Sequence, residues 1–209
     1  MCKLRAHKGD THMKIAAALV LISFAALAEE AKTEAKKMSP EEQAMMDKYM
    51  KAATPGPEHQ QMAKMVGKWN LKVTAWMAPG APPQTSNGTA EFRSILGGRY
   101  IEQEAKGDMA GQPFEGKGLE GYDNVTHEHW GTWVDTMTTG VMSMKGKCKA
   151  DAKKCTESGK MSDAVAGKAV PVSTTMTMKD DNTMVFEMTG PGPDGKPFKT
   201  MEIVYTRAP

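Results

Sequence analysis

From Trp69 onward, apolar and polar side chains alternate with a period of two. Trp69, Leu71, Val73, Ala75 and Met77 share one parity and Asn70, Lys72 and Thr74 the other, the pattern of a strand with one buried face. The alternation returns in Ala90, Phe92 and Ser94, and in Ile101, Gln103 and Ala105 set against Tyr100, Glu102 and Glu104. It continues through 172–178, 184–188 and 201–205. Gly97-Gly98, Gly107-Asp108, Asp123-Asn124, Asp180-Asp181-Asn182 and Asp194-Gly195 divide these runs, and all are turn formers. About nine or ten short strands at regular spacing predict an all-β antiparallel barrel or sandwich rather than an α/β fold.

Ahead of the strands the period changes. Ser39-Pro40-Glu41-Glu42 is a helix start, with a capping residue, a proline at the first helical position and a glutamate three after the serine. The helix is expected over 40 to about 52, with Met45, Met46, Tyr49 and Met50 on one stripe that should pack, and Thr54-Pro55-Gly56-Pro57 ending it. A second short helix is expected from about 58 to 66, turning Met62, Met65 and Val66 inward and stopping at Gly67. Helices so placed are expected to cap one mouth of the barrel. Earlier still, an apolar run over 15–25 follows Lys14 and leads into Ala26-Leu27-Ala28 and Glu29-Glu30. This is the pattern of a secretory signal cleaved after Ala28, too short for a stable membrane anchor, whether translation starts at Met1 or Met13. The expected divisions are a signal peptide over 1–28, a flexible linker over 29–38, helices over 39–66 and a β-barrel domain over 67–209, exported to the periplasm or secreted.

Charge changes little in this picture. Loss of Lys3, Arg5, Lys8, Lys14 and Asp10 with the leader takes the chain from 27 basic and 25 acidic residues to 23 and 24. The near-neutral balance gives no support for a nucleic-acid partner. Two cysteines remain, Cys148 and Cys155. A hairpin tipped at Asp151-Ala152 sets 148 opposite 155, with Cα atoms about 4.5 to 5.5 Å apart, within reach of a disulfide. In an exported protein a structural staple is the simplest reading; two free thiols are the alternative, and the spacing is not that of a C-x-x-C redox pair.

The first strand opens with Gly67-Lys68-Trp69 and the last closes with Tyr205-Thr206-Arg207. This resembles the calycins, the lipocalin-like barrels, in which such an arginine stacks on such a tryptophan where the ends meet. Leu96-Gly97-Gly98-Arg99-Tyr100, the run from Gly111 to Asn124 that includes Gly116-Lys117-Gly118-Leu119-Glu120-Gly121-Tyr122, Gly131-Thr132-Trp133-Val134-Asp135 and the closing Tyr205-Thr206-Arg207 resemble the bacterial domain-of-unknown-function family 1579. The resemblance covers roughly 67–207 and implies an up-and-down calycin-like barrel with Trp69 and Arg207 in structural roles. It implies no catalytic residue.

Candidate chemistry is sparse. Gly116-Lys117-Gly118-Leu119-Glu120-Gly121 matches a dinucleotide fingerprint in letters only, because Tyr122-Asp123-Asn124 starts a turn where a helix would have to hold the phosphates. His127-Glu128-His129 puts two imidazoles on one side of a strand, an edge of a metal site only if Asp123, Asp135 or His59 joins them; a solvated turn is the simpler reading, and no metal or cofactor is assigned. Many of the 19 methionines share parity with the apolar residues, so thioethers are expected to line the interior as core filling or as an adaptable cavity. The candidate ligand-binding residues are Arg99, Glu102, Tyr122, Trp133, Asp135, Met142, Met176 and Tyr205, with Arg99 or Arg93 as counter-charge to an interior carboxylate. The expected function is an exported protein binding a small apolar or amphipathic ligand. The alternatives are a hydrolase or isomerase with Asp135 or Glu102 as base, and a structural or interaction barrel with a filled core. An interior of about 300 Å³ or more favours binding.

Overall fold

The computed structural model describes residues 38–209 apart from 110 and 150. The expected leader, and all of the expected linker except Met38, lie outside the described residues. Two helices, α1 (Pro40–Ala53) and α2 (Pro57–Ala63), precede ten strands. These are β1 (Gly67–Ala75), β2 (Gln84–Ile95), β3 (Tyr100–Met109), β4 (Gln112–Asp123) and β5 (Glu128–Asp135), then β6 (Met142–Gly146), β7 (Lys154–Asp163), β8 (Lys168–Asp180), β9 (Thr183–Pro191) and β10 (Pro197–Arg207). Each strand pairs with its neighbour in sequence, and β1 pairs with β10, so the sheet is a closed up-and-down antiparallel barrel. Closure leaves no edge strand to template association.

The seam rests on the two residues singled out at the chain's ends. Trp69 lies opposite Arg207 in the β1–β10 ladder, and the guanidinium carbon stands 4.2 Å from the indole centroid. Arg207 also donates from Nη1 to the Val66 carbonyl at 2.9 Å, from Nη2 to the Lys64 carbonyl at 3.0 Å and from Nε to the Asp181 carbonyl at 3.0 Å. Three donors in one planar fork thus tie the α2–β1 entry and the β8–β9 turn to the seam. Gly67 is obligatory here: its φ is +130°, and a Cβ would meet Arg207 Nη1 at 2.6 Å. The buried indole N–H donates to the Met65 carbonyl at 2.8 Å.

Inward parity follows the alternation. Trp69, Phe92, Ile101 and Met184 are almost fully buried and, with Leu71, Ala90 and Tyr205, form the packed core at the α2 end. Met62 and Met65 of the capping segment join it. Other expectations fail locally. Met77 lies beyond β1 and is 73% exposed. Helix α1 has no buried residue, and Met45, Met46, Tyr49 and Met50 all face solvent. The Asn124 side-chain amide holds only its C-terminal end, donating to the Ala52 and Thr54 carbonyls; the apolar stripe is not what anchors the helix.

The turns use the expected chemistry. Carboxylate oxygens of Asp108, Asp123, Asp163, Asp180 and Asp194 accept backbone N–H groups two or three residues on, the Asx geometry that short polar side chains favour. Cys148 and Cys155 form a disulfide with Cα atoms 5.2 Å apart. The β6–β7 ladder pairs Lys145 with Ser158, and the same register continued three residues outward sets 148 against 155.

Candidate functional site

Beyond the packed end, the barrel encloses a cavity of about 440 Å³. Its walls are the inward side chains of every strand, with Leu71, Val73, Met144, Met176, Phe186 and Ile203 among the apolar lining. The hollow arises where β4, β5 and β7 put glycine inside. Gly116 and Gly118 leave the space against which the Trp133 indole lies. Gly131 and Gly159 follow across the sheet through the register Glu120–Gly131–Met144–Gly159.

Two carboxylates occupy this glycine-lined wall. Glu120 projects from β4 and Glu157 from β7, and both line the cavity. A Cβ built on Gly131 would stand 3.6 Å from Glu157 Oε2 and 3.8 Å from Glu120 Cγ, so the missing side chain is what lets the two acids approach across β5 and β6. Burial, and then the neighbouring Glu157, push Glu120 up to about 7 from an ordinary 4.5. Burial also raises Glu157. Each keeps some accessible surface because it faces the cavity. Among the described residues neither side chain has a hydrogen-bond or ion-pair partner. Desolvation disfavours the charged form, and a like charge nearby adds to the effect.

Other polar groups surround them. Gln103, 6% exposed, donates from Nε2 to the Tyr205 hydroxyl at 3.3 Å. The Tyr205 ring stands edge-on to Trp69, with centroids 6.5 Å apart; burial raises its hydroxyl, and the charge of Glu120 adds to that. Thr174, opposite Glu157 in the β7–β8 ladder, donates to Met144 Sδ at 3.1 Å. His129 closes the cavity toward α2, its ring 4.9 Å from that of Tyr122. Its buried Nε2 has no hydrogen-bond partner, and burial holds the imidazole below its usual range.

Of the residues expected from sequence, Trp133, Asp135, Met142, Met176 and Tyr205 line this cavity. Asp135 stands at the open end, its Oδ2 accepting the Trp133 indole N–H at 2.9 Å and its Oδ1 the Met137 N–H. The remaining three, Arg99, Glu102 and Tyr122, do not line it. Glu102 has the outward parity of β3 and pairs with Arg93 on the outer surface, where Arg93 also meets Glu91 and Glu104. Arg93 is therefore no counter-charge to Asp135. Arg99 folds back onto its own turn, donating to the Leu96 carbonyl at 2.9 Å. Tyr122 packs at the α2 end between His59 and His129.

The two imidazoles of 127 and 129 also part company. His127 sits in the β4–β5 turn at φ +57° with Nδ1 3.3 Å from the Tyr122 hydroxyl, whereas His129 points inward. Among the described residues no group of three or more histidines, cysteines or acids is placed to hold a metal ion. The dinucleotide-like glycines lie within β4, without a helix after them. The alternation does not single out Glu120 and Glu157, because glycine and serine around them blur it. A signal did exist: Glu157 shares parity with Cys155 and Met161, and all three line the interior.

A family model described as "Protein of unknown function (DUF1579)" matches residues 54–207. No curated protein matches the chain. Among solved structures, Rv2717c from M. tuberculosis superposes with a TM-score of 0.56 at 11% identity, over 75% of this chain and 100% of that one. An S-type phycobiliprotein lyase, CPES, from Guillardia theta gives 0.49 at 9% identity over 77% and 97%. A redesigned β-barrel, mFAP1, bound to DFHBI, gives 0.39 at 16% identity over 73% and 100%. The likeness to Rv2717c is one of fold.

Proposed function

We propose, starting from a chain that belongs to the family described as "Protein of unknown function (DUF1579)", that its barrel is an exported carrier or sensor of a small apolar or amphipathic molecule held in the interior cavity. The carrying observation is the 440 Å³ hollow, which falls in the range of ligand pockets and combines apolar walls with a few converging polar groups. A barrel evolved only for packing would fill this space, since each unfilled methylene-sized void destabilises. The disulfide between Cys148 and Cys155 is compatible with an oxidising compartment, which supports the exported reading.

A second reading rests on Glu120. A carboxyl pushed up to about 7 beside an open cavity suits proton transfer to or from a bound molecule. The acid-base role considered for Asp135 and Glu102 then passes to Glu120, because Asp135 already accepts two N–H groups and Glu102 faces outward. Native mass spectrometry of protein recovered from the periplasm tests the binding proposal. A co-purifying molecule, or uptake of one equivalent of the neutral apolar probe N-phenyl-1-naphthylamine, is the expected result. Apo protein in independent preparations that also refuses the probe would overturn it.

A further inference from the structure

The walls of the cavity are apolar, but its polar centre has a bias. Glu120 and Glu157 both line the cavity and flank the gap left by Gly131, where a Cβ would stand 3.6 Å from Glu157 Oε2 and 3.8 Å from Glu120 Cγ. Gln103, more than nine-tenths buried, lines the same cavity and uses Nε2 on the Tyr205 hydroxyl. Its carbonyl oxygen accepts no hydrogen bond among the described residues, and a Cβ on Gly118, on the neighbouring strand, would stand 3.5 Å from it. Apart from the second Nε2–H of Gln103 and the hydroxyl proton of Tyr205, the free capacity of this group of side chains is acceptor capacity.

Among the described residues no cation answers it. The lysines that reach the cavity, Lys106, Lys149 and Lys153, come from the end of β3 and the β6–β7 connection, and none forms an ion pair with either acid; Lys106 meets Glu115 instead. His129 and Asp135 also face the cavity, the imidazole of the first held below its usual range by burial and the second engaged with Trp133 and Met137. Tyr205, from β10, contributes a hydroxyl already accepting from Gln103. Two acids facing each other without a counter-charge disfavour the empty state. A donor-only cation, such as an ammonium with its three N–H bonds, supplies both the missing charge and the missing donors.

We propose that Glu120 and Glu157, with Gln103 beside them, form a head-group subsite for a protonated amine carried on an apolar body. This rests on the reading of the cavity as a ligand site and adds the chemical class of the ligand. Below a pH of about 7 a proton held by the pair stands in for the amine in the empty barrel, and the incoming cation displaces it to solvent.

A series with one tail and three heads tests this. Decylamine, decanol and decanoate are titrated at pH 7.5, below their micelle concentrations, as competitors of N-phenyl-1-naphthylamine in the full exported protein. The amine is expected to compete about tenfold better than the alcohol, with decanoate the weakest. In E120Q/E157Q, checked for folding by its thermal transition, the amine-to-alcohol ratio is expected to fall toward one; if the double variant does not fold, E120Q and E157Q singly should each lower the ratio. Equal affinities for amine and alcohol in the native protein, or a ratio that survives both substitutions, would overturn the head-group assignment while leaving the cavity reading intact. Failure of all three ligands and of the probe would overturn both.

Discussion

The two ends of the barrel interior are built on opposite rules. At the α2 end Trp69, Phe92, Ile101 and Met184 fill the lumen until almost no surface remains, and the Arg207 fork locks the seam over them. Along β4 to β7 the inward positions alternate glycine with Glu120, Trp133, Met144 and Glu157, and the lumen stays open. The first region is a fold-holding plug; the second gives up packing for space. The wall of the second is also the thinnest, since β6 has five residues and pairs with β7 through three of them. The disulfide lies just past that ladder, tying by covalent bond what burial does not.

Substitutions separate the two regions most strongly at their packed members. Phe92→Ala should destabilise by about 3 to 5 kcal/mol in urea unfolding, as large-to-small changes in filled cores do. Met142→Ala, on the cavity wall, should cost about 1 kcal/mol or less, because it enlarges an existing hollow rather than opening a new one. Equal losses at the two sites would erase the distinction. Next in size is the staple. Cys155→Ser should cost about 2 to 3 kcal/mol by loop-closure entropy, and free-thiol labelling of unreduced exported protein should find both cysteines blocked.

A smaller effect, about 1 kcal/mol between pH 8 and 6.5, comes from the carboxylates. Glu120 sits above its ordinary 4.5 in the fold, at about 7. Folding therefore favours its protonated form, and its contribution is complete below 4.5 and lost as pH rises through 7. His59 and His129 are held below 6.5 by burial, so they favour the fold above 6.5 and oppose it as pH falls below. The unfolded-state imidazoles already take up protons as pH approaches 6.5, so the acid is isolated by the difference between the native protein and E120Q, in which both histidines are retained. The stability of the native protein relative to E120Q should rise as pH falls from 8 to 6.5; identical pH dependence in the two proteins would place the titration elsewhere.

The sequence carried the packed end far more legibly than the hollow one. Alternating large side chains, the Gly67-x-Trp69 opening and the terminal Arg207 each have one structural solution, and the cysteine register followed from counting across a hairpin. Parity also bears on Glu102, since an alternation that turns Ile101 and Gln103 inward turns Glu102 outward. The hollow region resists this reading because glycine has no polarity to alternate. Glu120 lies between Leu119 and Gly121, and Glu157 between Thr156 and Ser158, surroundings that read as solvated strand or turn. The stripe on α1 misled for a different reason: an apolar helical face indicates what could be buried, and only tertiary contacts decide whether it is.

The most direct test of the account is a titration of the native protein and a plugged variant, Met176→Trp, with N-phenyl-1-naphthylamine. Saturable emission enhancement at one equivalent in the native protein, lost in a variant that keeps a cooperative thermal transition, is the predicted result. Enhancement of equal size and affinity in both, or none in the native protein, would contradict a ligand cavity inside the barrel.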